Sequence, residues 1–190
     1  NSPDNTDKII QEIISSHPKG YRIRYYNNNP NLGVTPNSKK ALDMIRGKYF
    51  ALCEGDDYWI DTKKLQKQVQ FLEANEDFAI CFHNTRVDFF NKNNPSYFVN
   101  EGIAKDVFTI DDMIGEDEIW FTATASLVIR TSAYGKTPDW FIDSKSGDIP
   151  IILLAIRNGK MKYMPDVMAV YRKNMASYSH TDSHQDENFL

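Results

Sequence analysis

Tyr49-Phe50-Ala51-Leu52-Cys53-Glu54-Gly55-Asp56-Asp57-Tyr58-Trp59 sets an unbroken apolar run directly against three carboxylates. A continuous apolar run bounded by turn formers predicts a buried strand of the kind found in parallel sheets. Helix signals stand on both sides of it. Residues 36–46 carry Ala41, Leu42, Met44 and Ile45 at helical spacing and close on Gly47. Asp61 caps a further helix to about residue 74, with Leu65, Val69 and Leu72 on its apolar face, and residues 78–82 form another apolar strand. This alternation predicts an α/β domain built on a mostly parallel sheet flanked by helices. In open α/β sheets ligands bind beyond the carboxyl ends of the strands, which is where Glu54, Asp56 and Asp57 fall.

Clustered carboxylates repel one another and raise each other's pKa, a cost that a hard divalent cation removes. Mg²⁺ or Mn²⁺ takes one or two carboxylates together with diphosphate oxygens, and stabilises charge building on a departing phosphate. A plainer reading is also open: Gly and Asp are ordinary turn residues, and the run leads into the helix capped by Asp61.

Working outward, Pro3 and Asp4 precede Ile9, Ile10, Ile13 and Ile14 as a capped amphipathic helix ending at His17-Pro18-Lys19-Gly20. Residues 21–26 alternate like a short strand, and residues 27–33 are rich in turn formers. On the other side, residues 91–100 read as a loop. Thr109-Ile110-Asp111-Asp112 reads as a helix start with a capping carboxylate. Residues 126–129 form a strand, residues 148–158 a mostly buried helix, and residues 161–163 and 167–171 two closing strands. From Ser177 the chain is a polar tail. Tyr58, Trp59 and Trp120 offer faces for sugar stacking, yet aromatics beside apolar strands pack in cores, which is expected for two of the three. His83 at a strand end takes no assigned role.

At 190 residues with 41% apolar and 13% aromatic content, the chain is expected to fold as a single domain. Net charge −4 offers no phosphate-tracking surface, so nucleic acid is set aside as a partner. Cys53 and Cys81 lie in apolar runs without metal spacing and read as reduced, buried thiols of a cytosolic protein. No apolar run reaches the roughly 18 to 20 residues that span a bilayer. The chain opens at Asn1 in a polar stretch, and a preceding segment is expected.

Residues 50–59, running into Leu65-Gln66-Lys67-Gln68-Val69 and Phe71-Leu72-Glu73-Ala74-Asn75, resemble family 2 glycosyltransferases of the GT-A fold. The likeness is greatest to bacterial enzymes that build surface polysaccharides, and it runs along nearly the whole chain. It implies residues 1–75 as part of the nucleotide-binding half, residues 76–176 as the acceptor side and residues 177–190 as a tail, with the first strand of the fold upstream of Asn1. Asp57 would ligate Mg²⁺ or Mn²⁺ on the diphosphate of a nucleotide sugar, a UDP-sugar foremost. Asp56 would lie against the ribose or metal-bound water, and Glu54 stands where Asp is commoner. Asn31-Leu32-Gly33 and Asn37 match the family's segment before the next helix, where Asn31 serves either the nucleotide or the turn itself.

The resemblance also places a general base at Asp148, where Gly147-Asp148 stands for the commoner Glu-Asp. As a residue before Ile149 and Pro150, Asp148 is equally a helix cap. Residues 122–126 would line the acceptor side or simply pack. Tyr171-Arg172 matches the closing segment where Arg172 approaches the diphosphate or pairs at the surface, and Asn174 stands where His is usual. The implied activity is inverting transfer of a sugar to a carbohydrate or lipid-linked acceptor, in the cytoplasm and at the inner membrane face through that acceptor. Oligomeric state is left open. A sugar-phosphate nucleotidylyltransferase, which needs a Gly-rich, Arg-bearing loop upstream, and a non-catalytic carbohydrate- or nucleotide-binding module of the same fold are the alternatives. A glycosidase has no use for a metal-suited acidic run, and Tyr58 breaks the spacing of an aspartyl phosphatase.

Overall fold

A computed structural model describes residues 3–90, 94–114 and 121–173 of the chain. They fall into two compact units, Asn1–Met44 with Thr137–Gly147, and Ile45–Lys136 with Asp148–Leu190. Trp120, Asn174 and the polar tail lie outside the described residues.

In the first unit, α1 (Thr6–Ser16) begins where the Asp4 carboxylate accepts the Thr6 N–H at 3.0 Å. Gly20 then passes so close to α1 that a Cβ would meet the Ile14 carbonyl oxygen at 2.1 Å. The strand expected over residues 21–26 does not form. Gly20–Arg22 is a 3-10 turn, and the extended residues beyond it join no ladder among the described strands. Alternation alone does not make a strand, because its backbone groups need a neighbour to pair with. The second helix, α2 (Val34–Asp43), starts after Gly33, whose φ of 77° is a left-handed conformation that glycine adopts without strain.

The second unit holds β1 (Tyr49–Ala51), β2 (Tyr58–Trp59), α3 (Lys64–Ala74), β3 (Phe78–Phe89), β4 (Tyr97–Phe98) and β5 (Val107–Phe108). These are followed by β6 (Val128–Arg130), α4 (Thr131–Tyr134), α5 (Asp148–Ile156) and β7 (Lys160–Lys173). The sheet runs β1-β6-β3-β7-β2, with β4 added to β3 and β5 to β7. The α/β architecture is as the sequence implies. Its parallel character resides in the long β3–β7 ladder, while the other described pairings are antiparallel. β1 itself pairs antiparallel with β6, Phe50 opposite Ile129.

The two closing strands are one. The register of β7 on β3 passes from Met164 opposite His83 to Val167 opposite Asn84, so Pro165 and Asp166 bulge out. A proline cannot donate to a ladder, and the bulge lets the strand continue past it. The Asn84 side chain accepts the backbone N–H of Thr85 at 2.8 Å and of Asn100 at 3.1 Å, holding the irregular step. β3 is also longer than its apolar part, because beyond Phe82 it alternates buried Thr85 and Val87 with half-exposed polar residues.

Phe82 centres the aromatic core, with ring centroids 5.5 Å from Phe108, 5.7 Å from Phe121 and 5.2 Å from Tyr163. The phase of α3 differs from expectation. Its buried stripe is Lys64, Gln68 and Leu72, and Leu65 is exposed. The Gln68 amide repays its burial by donating to the carbonyls of Cys81 at 2.7 Å and Ser126 at 2.8 Å, joining β3 to the segment before β6. The expected capping box at Thr109 and Asp112 is present, in a 3-10 turn over Ile110–Asp112. No described helix is long and apolar enough to cross a membrane.

Arg130 ties the end of α3 to the sheet. Its guanidinium donates to the carbonyls of Leu72 at 2.6 Å, Asn75 at 3.2 Å and Phe78 at 3.1 Å, and to the Tyr49 hydroxyl at 3.1 Å. Leu72 and Asn75 lie at the C-terminal end of α3, where carbonyls lack the i+4 donors of the helix interior, and Phe78 opens β3. Arg130→Ala is expected to lower unfolding stability by about 2 to 3 kcal/mol in urea titrations, with Arg130→Lys recovering only part because an ammonium lacks the fork. A loss below about 0.5 kcal/mol would contradict that role.

Candidate active site

After β1 the chain turns, with the Asp57 N–H donating to the Glu54 carbonyl at 3.1 Å, and then enters β2. β2 is laid antiparallel on β7, Tyr58 opposite Val170 and Trp59 opposite Ala169. The acidic run is therefore a turn, as the plainer reading has it, but its carboxylates do more than face water. Asp57 is half-buried, and its Oδ1 accepts the backbone N–H of Arg172 at 3.0 Å. The Arg172 Nε donates to the Asp56 carbonyl, and its guanidinium lies 5.0 Å from the Phe90 ring centroid and 6.0 Å from that of Tyr58.

Burial pushes the Asp57 carboxyl up to about 6, the Arg172 backbone bond opposes this, and the Asp56 charge adds to it. Glu54 remains open to solvent yet is crowded by protein atoms, and loss of hydration pushes it up to about 7. Its own backbone bond and Thr124 pull the other way, while the charges of Asp57 and Asp148 both raise it further. Two carboxylates separated by 91 positions thus act on Glu54 together (148 − 57 = 91). Asp148 opens α5, and its Oδ1 accepts the Ile149 N–H at 3.1 Å, so it also serves the start of that helix.

The other predicted residues divide. Arg172 meets the acidic turn directly. Asn31 belongs to the first unit, where its Oδ1 accepts the Gly33 N–H at 2.8 Å and closes the turn before α2. Cys53 is exposed rather than buried, because β1 ends at Ala51; Cys81 is buried, as expected. Tyr58 and Trp59 are both exposed in part, which corrects the expectation that two of the three candidate aromatics are core. The Trp59 indole N–H is anchored on the Ala125 carbonyl at 2.9 Å, and one face of its ring lies 4.5 Å from the Lys64 ammonium. Lys64 was missed by sequence reasoning: it is only 1% exposed, and burial lowers its pKa to about 8. In the segment 122–126, Thr122, Ala123, Ala125 and Ser126 are buried and pack, while the Thr124 side chain meets Glu54 and the Ala125 carbonyl holds the Trp59 indole.

Among the described residues no group of three or more Asp, Glu, His or Cys side chains is arranged to cage a metal. The donors present nevertheless fit a hard divalent cation. Mg²⁺ and Mn²⁺ sites at phosphates use one or two carboxylates and fill the remainder with water and phosphate oxygens. Asp57, hydrogen-bonded in place and starved of hydration, is suited to that partnership.

A sequence profile described as Glycosyl transferase family 2 matches residues 1–176, and the chain belongs to that family. An uncharacterized protein of Mycobacterium tuberculosis is 32% identical over 189 residues, 95% of this chain and 50% of its own length. The chain thus spans about half the length of the curated relatives it matches across its full extent. An uncharacterized glycosyltransferase of Methanocaldococcus jannaschii is 37% identical over 82 residues, 43% of this chain and 27% of its own length. A UDP-Glc:α-D-GlcNAc-diphosphoundecaprenol β-1,3-glucosyltransferase of Escherichia coli is 35% identical over 77 residues, 40% of this chain and 28% of its own length.

Between their ordinary values of 3.8 and 4.5 and their folded values of about 6 and about 7, Asp57 and Glu54 hold protons that the unfolded chain has released. The stability these groups contribute is full below the ordinary values and is lost as pH rises through 6 to 7. Asp57→Asn and Glu54→Gln are expected to flatten this fall, read as urea midpoints at intervals between pH 4 and pH 8. Identical slopes in wild type and both variants would contradict the assignment.

Proposed function

We propose that the chain is the catalytic domain of an inverting glycosyltransferase that moves a sugar from a UDP-type donor to a saccharide or lipid-linked acceptor. The observation that carries this reading is the acidic turn itself, where the Arg172 N–H holds the Asp57 carboxylate and the Arg172 guanidinium meets the Asp56 carbonyl, with Asp148 at the head of α5 near enough for its charge to act on Glu54. Asp57 suits a cation and Asp148 suits a proton. The Escherichia coli relative, by its name, uses UDP-Glc and an undecaprenol-diphosphate acceptor, which supports this choice of donor and acceptor class.

Asp57, with Asp56 beside it, would hold Mg²⁺ or Mn²⁺, which when bound supplies positive charge at the donor diphosphate. Arg172, fixed by the Asp56 carbonyl, adds a guanidinium on the same side. Asp148 takes the proton of the acceptor hydroxyl as it attacks the anomeric carbon opposite the leaving diphosphate. Glu54, whose proton affinity is raised by burial, is assigned no ligating role. Asn31 remains the nucleotide-side candidate of the first unit. A lipid-linked acceptor would bring the domain to the cytoplasmic face of a membrane.

Asp148→Asn preserves the bond to Ile149 and removes the base. Transfer from a UDP-sugar is expected to fall by about 100-fold or more, while UDP binding with Mn²⁺ is unchanged. Retained transfer in that variant would remove Asp148 from the role. Asp57→Ala is expected to abolish the Mn²⁺-dependent part of UDP binding in calorimetry, and unchanged binding would remove Asp57 as a ligand. Donor binding without turnover in wild type under any acceptor would favour a binding module.

A further inference from the structure

The sheet register places an aromatic and arginine strip beside the acidic turn. Tyr58 on β2 lies opposite Val170 on β7, Val170 opposite Arg86 on β3, and Arg86 opposite Phe98 on β4. Residues directly opposite in a ladder share a face. In the next row, Arg172 lies opposite Asp88 on that same face, and Phe90 follows two residues beyond Asp88. Val170 is fully covered and forms the floor, whereas Tyr58, Phe90 and Phe98 are 42%, 53% and 41% exposed.

The polar groups between these rings are held in place. The Arg86 guanidinium grips Asp88 with two bonds of 2.9 Å, and Ser96 donates to the same carboxylate at 2.8 Å. Arg86 also reaches the Tyr58 side chain, and Arg172 lies against both Tyr58 and Phe90. Single exposed aromatics are unremarkable on a protein surface, but three on one sheet face with fixed polar forks between them form a patch. Flat apolar rings interspersed with oriented donors and acceptors match a pyranose chain, whose C–H faces stack on aromatics and whose hydroxyl edges take hydrogen bonds.

We infer that this strip, from Tyr58 across Arg86 to Phe98 with Phe90 beside it, is a binding surface for the sugar units of a saccharide acceptor. The inference rests on the glycosyltransferase reading above. Spacing and chemistry suit the acceptor. Tyr58 and Phe98 are separated by three strand spacings, roughly 14 Å, so several linked pyranose rings can lie across the strip, and the Arg86 fork is taken up by Asp88 rather than open to a donor diphosphate. Continuity with the acidic turn through Tyr58 and Arg172 places one end of such a chain beside the proposed donor site.

The test uses the whole chain, with chitotriose, maltotriose and cellotriose and their monosaccharides as probes, followed by chemical shifts of the aromatic side chains. At least one trisaccharide is expected to perturb Tyr58, Phe90 and Phe98 together and to bind more tightly than its monosaccharide. Phe98→Ala, whose ring is exposed and leaves the core intact, should weaken that trisaccharide by about five- to tenfold, with Phe98→Trp restoring it. UDP binding with Mn²⁺ serves as the separate control and should be the same in all variants. Trisaccharides that leave all three rings unperturbed, or that bind Phe98→Ala as tightly as wild type, overturn the inference. Loss of UDP binding in wild type would instead overturn the glycosyltransferase reading.

Discussion

The parallel ladder between β3 and β7 is the constraint on which the second unit depends. β7 runs from Met161, buried opposite Ile80, past Tyr163 beside Phe82 in the aromatic core, out to Arg172 at the acidic turn. Because the strand is continuous, the place of the Arg172 N–H is set by packing deep in the core. That N–H fixes the Asp57 carboxylate, and the adjacent rungs of β7 fix β2 behind it. The bulge at Pro165 and Asp166 is what allows one strand to serve both ends, and Asn84 accepts the N–H groups at that irregular step.

A second constraint is electrostatic. Asp57 and Glu54 are partly stripped of water beside one another, the charge of Asp148 also bears on Glu54, and the raised values of Asp57 and Glu54 register that cost. Such an arrangement lowers stability at neutral pH, and sites of chemistry are where proteins retain costs of this kind. A cation at Asp57 would reverse the sign of the local field, converting repulsion among the carboxylates into attraction.

Much of this was legible in the sequence because the decisive signal is local: an apolar run that ends on acids, followed by a helix, although Asp61 holds the Lys63 N–H in the turn before α3 and does not cap the helix as expected. The parts that were not legible depend on pairing or on helix phase. An apolar run reports burial but not the direction of its neighbour, so β1 was read as parallel when β6 lies antiparallel to it. β2 has two residues, too few for a period of two to show. The core stripe of α3 contains Lys64 and Gln68, and only their tertiary partners, the Trp59 ring and the carbonyls of Cys81 and Ser126, explain polar residues there. Arg172 was recognised through family resemblance, whereas its bond to Asp57 spans 115 positions and leaves no trace in spacing.

Mn²⁺ is paramagnetic and broadens the signals of nuclei near it, so it reports its own position. Titrated with UDP into isotope-labelled protein, it is expected to broaden the amides of residues 54–58 and of Arg172 first, and to leave the distal end of β7 at Met161 sharp. Broadening that begins elsewhere, or that persists unchanged at residues 54–58 in Asp57→Ala, would contradict the placement of the donor diphosphate at the acidic turn.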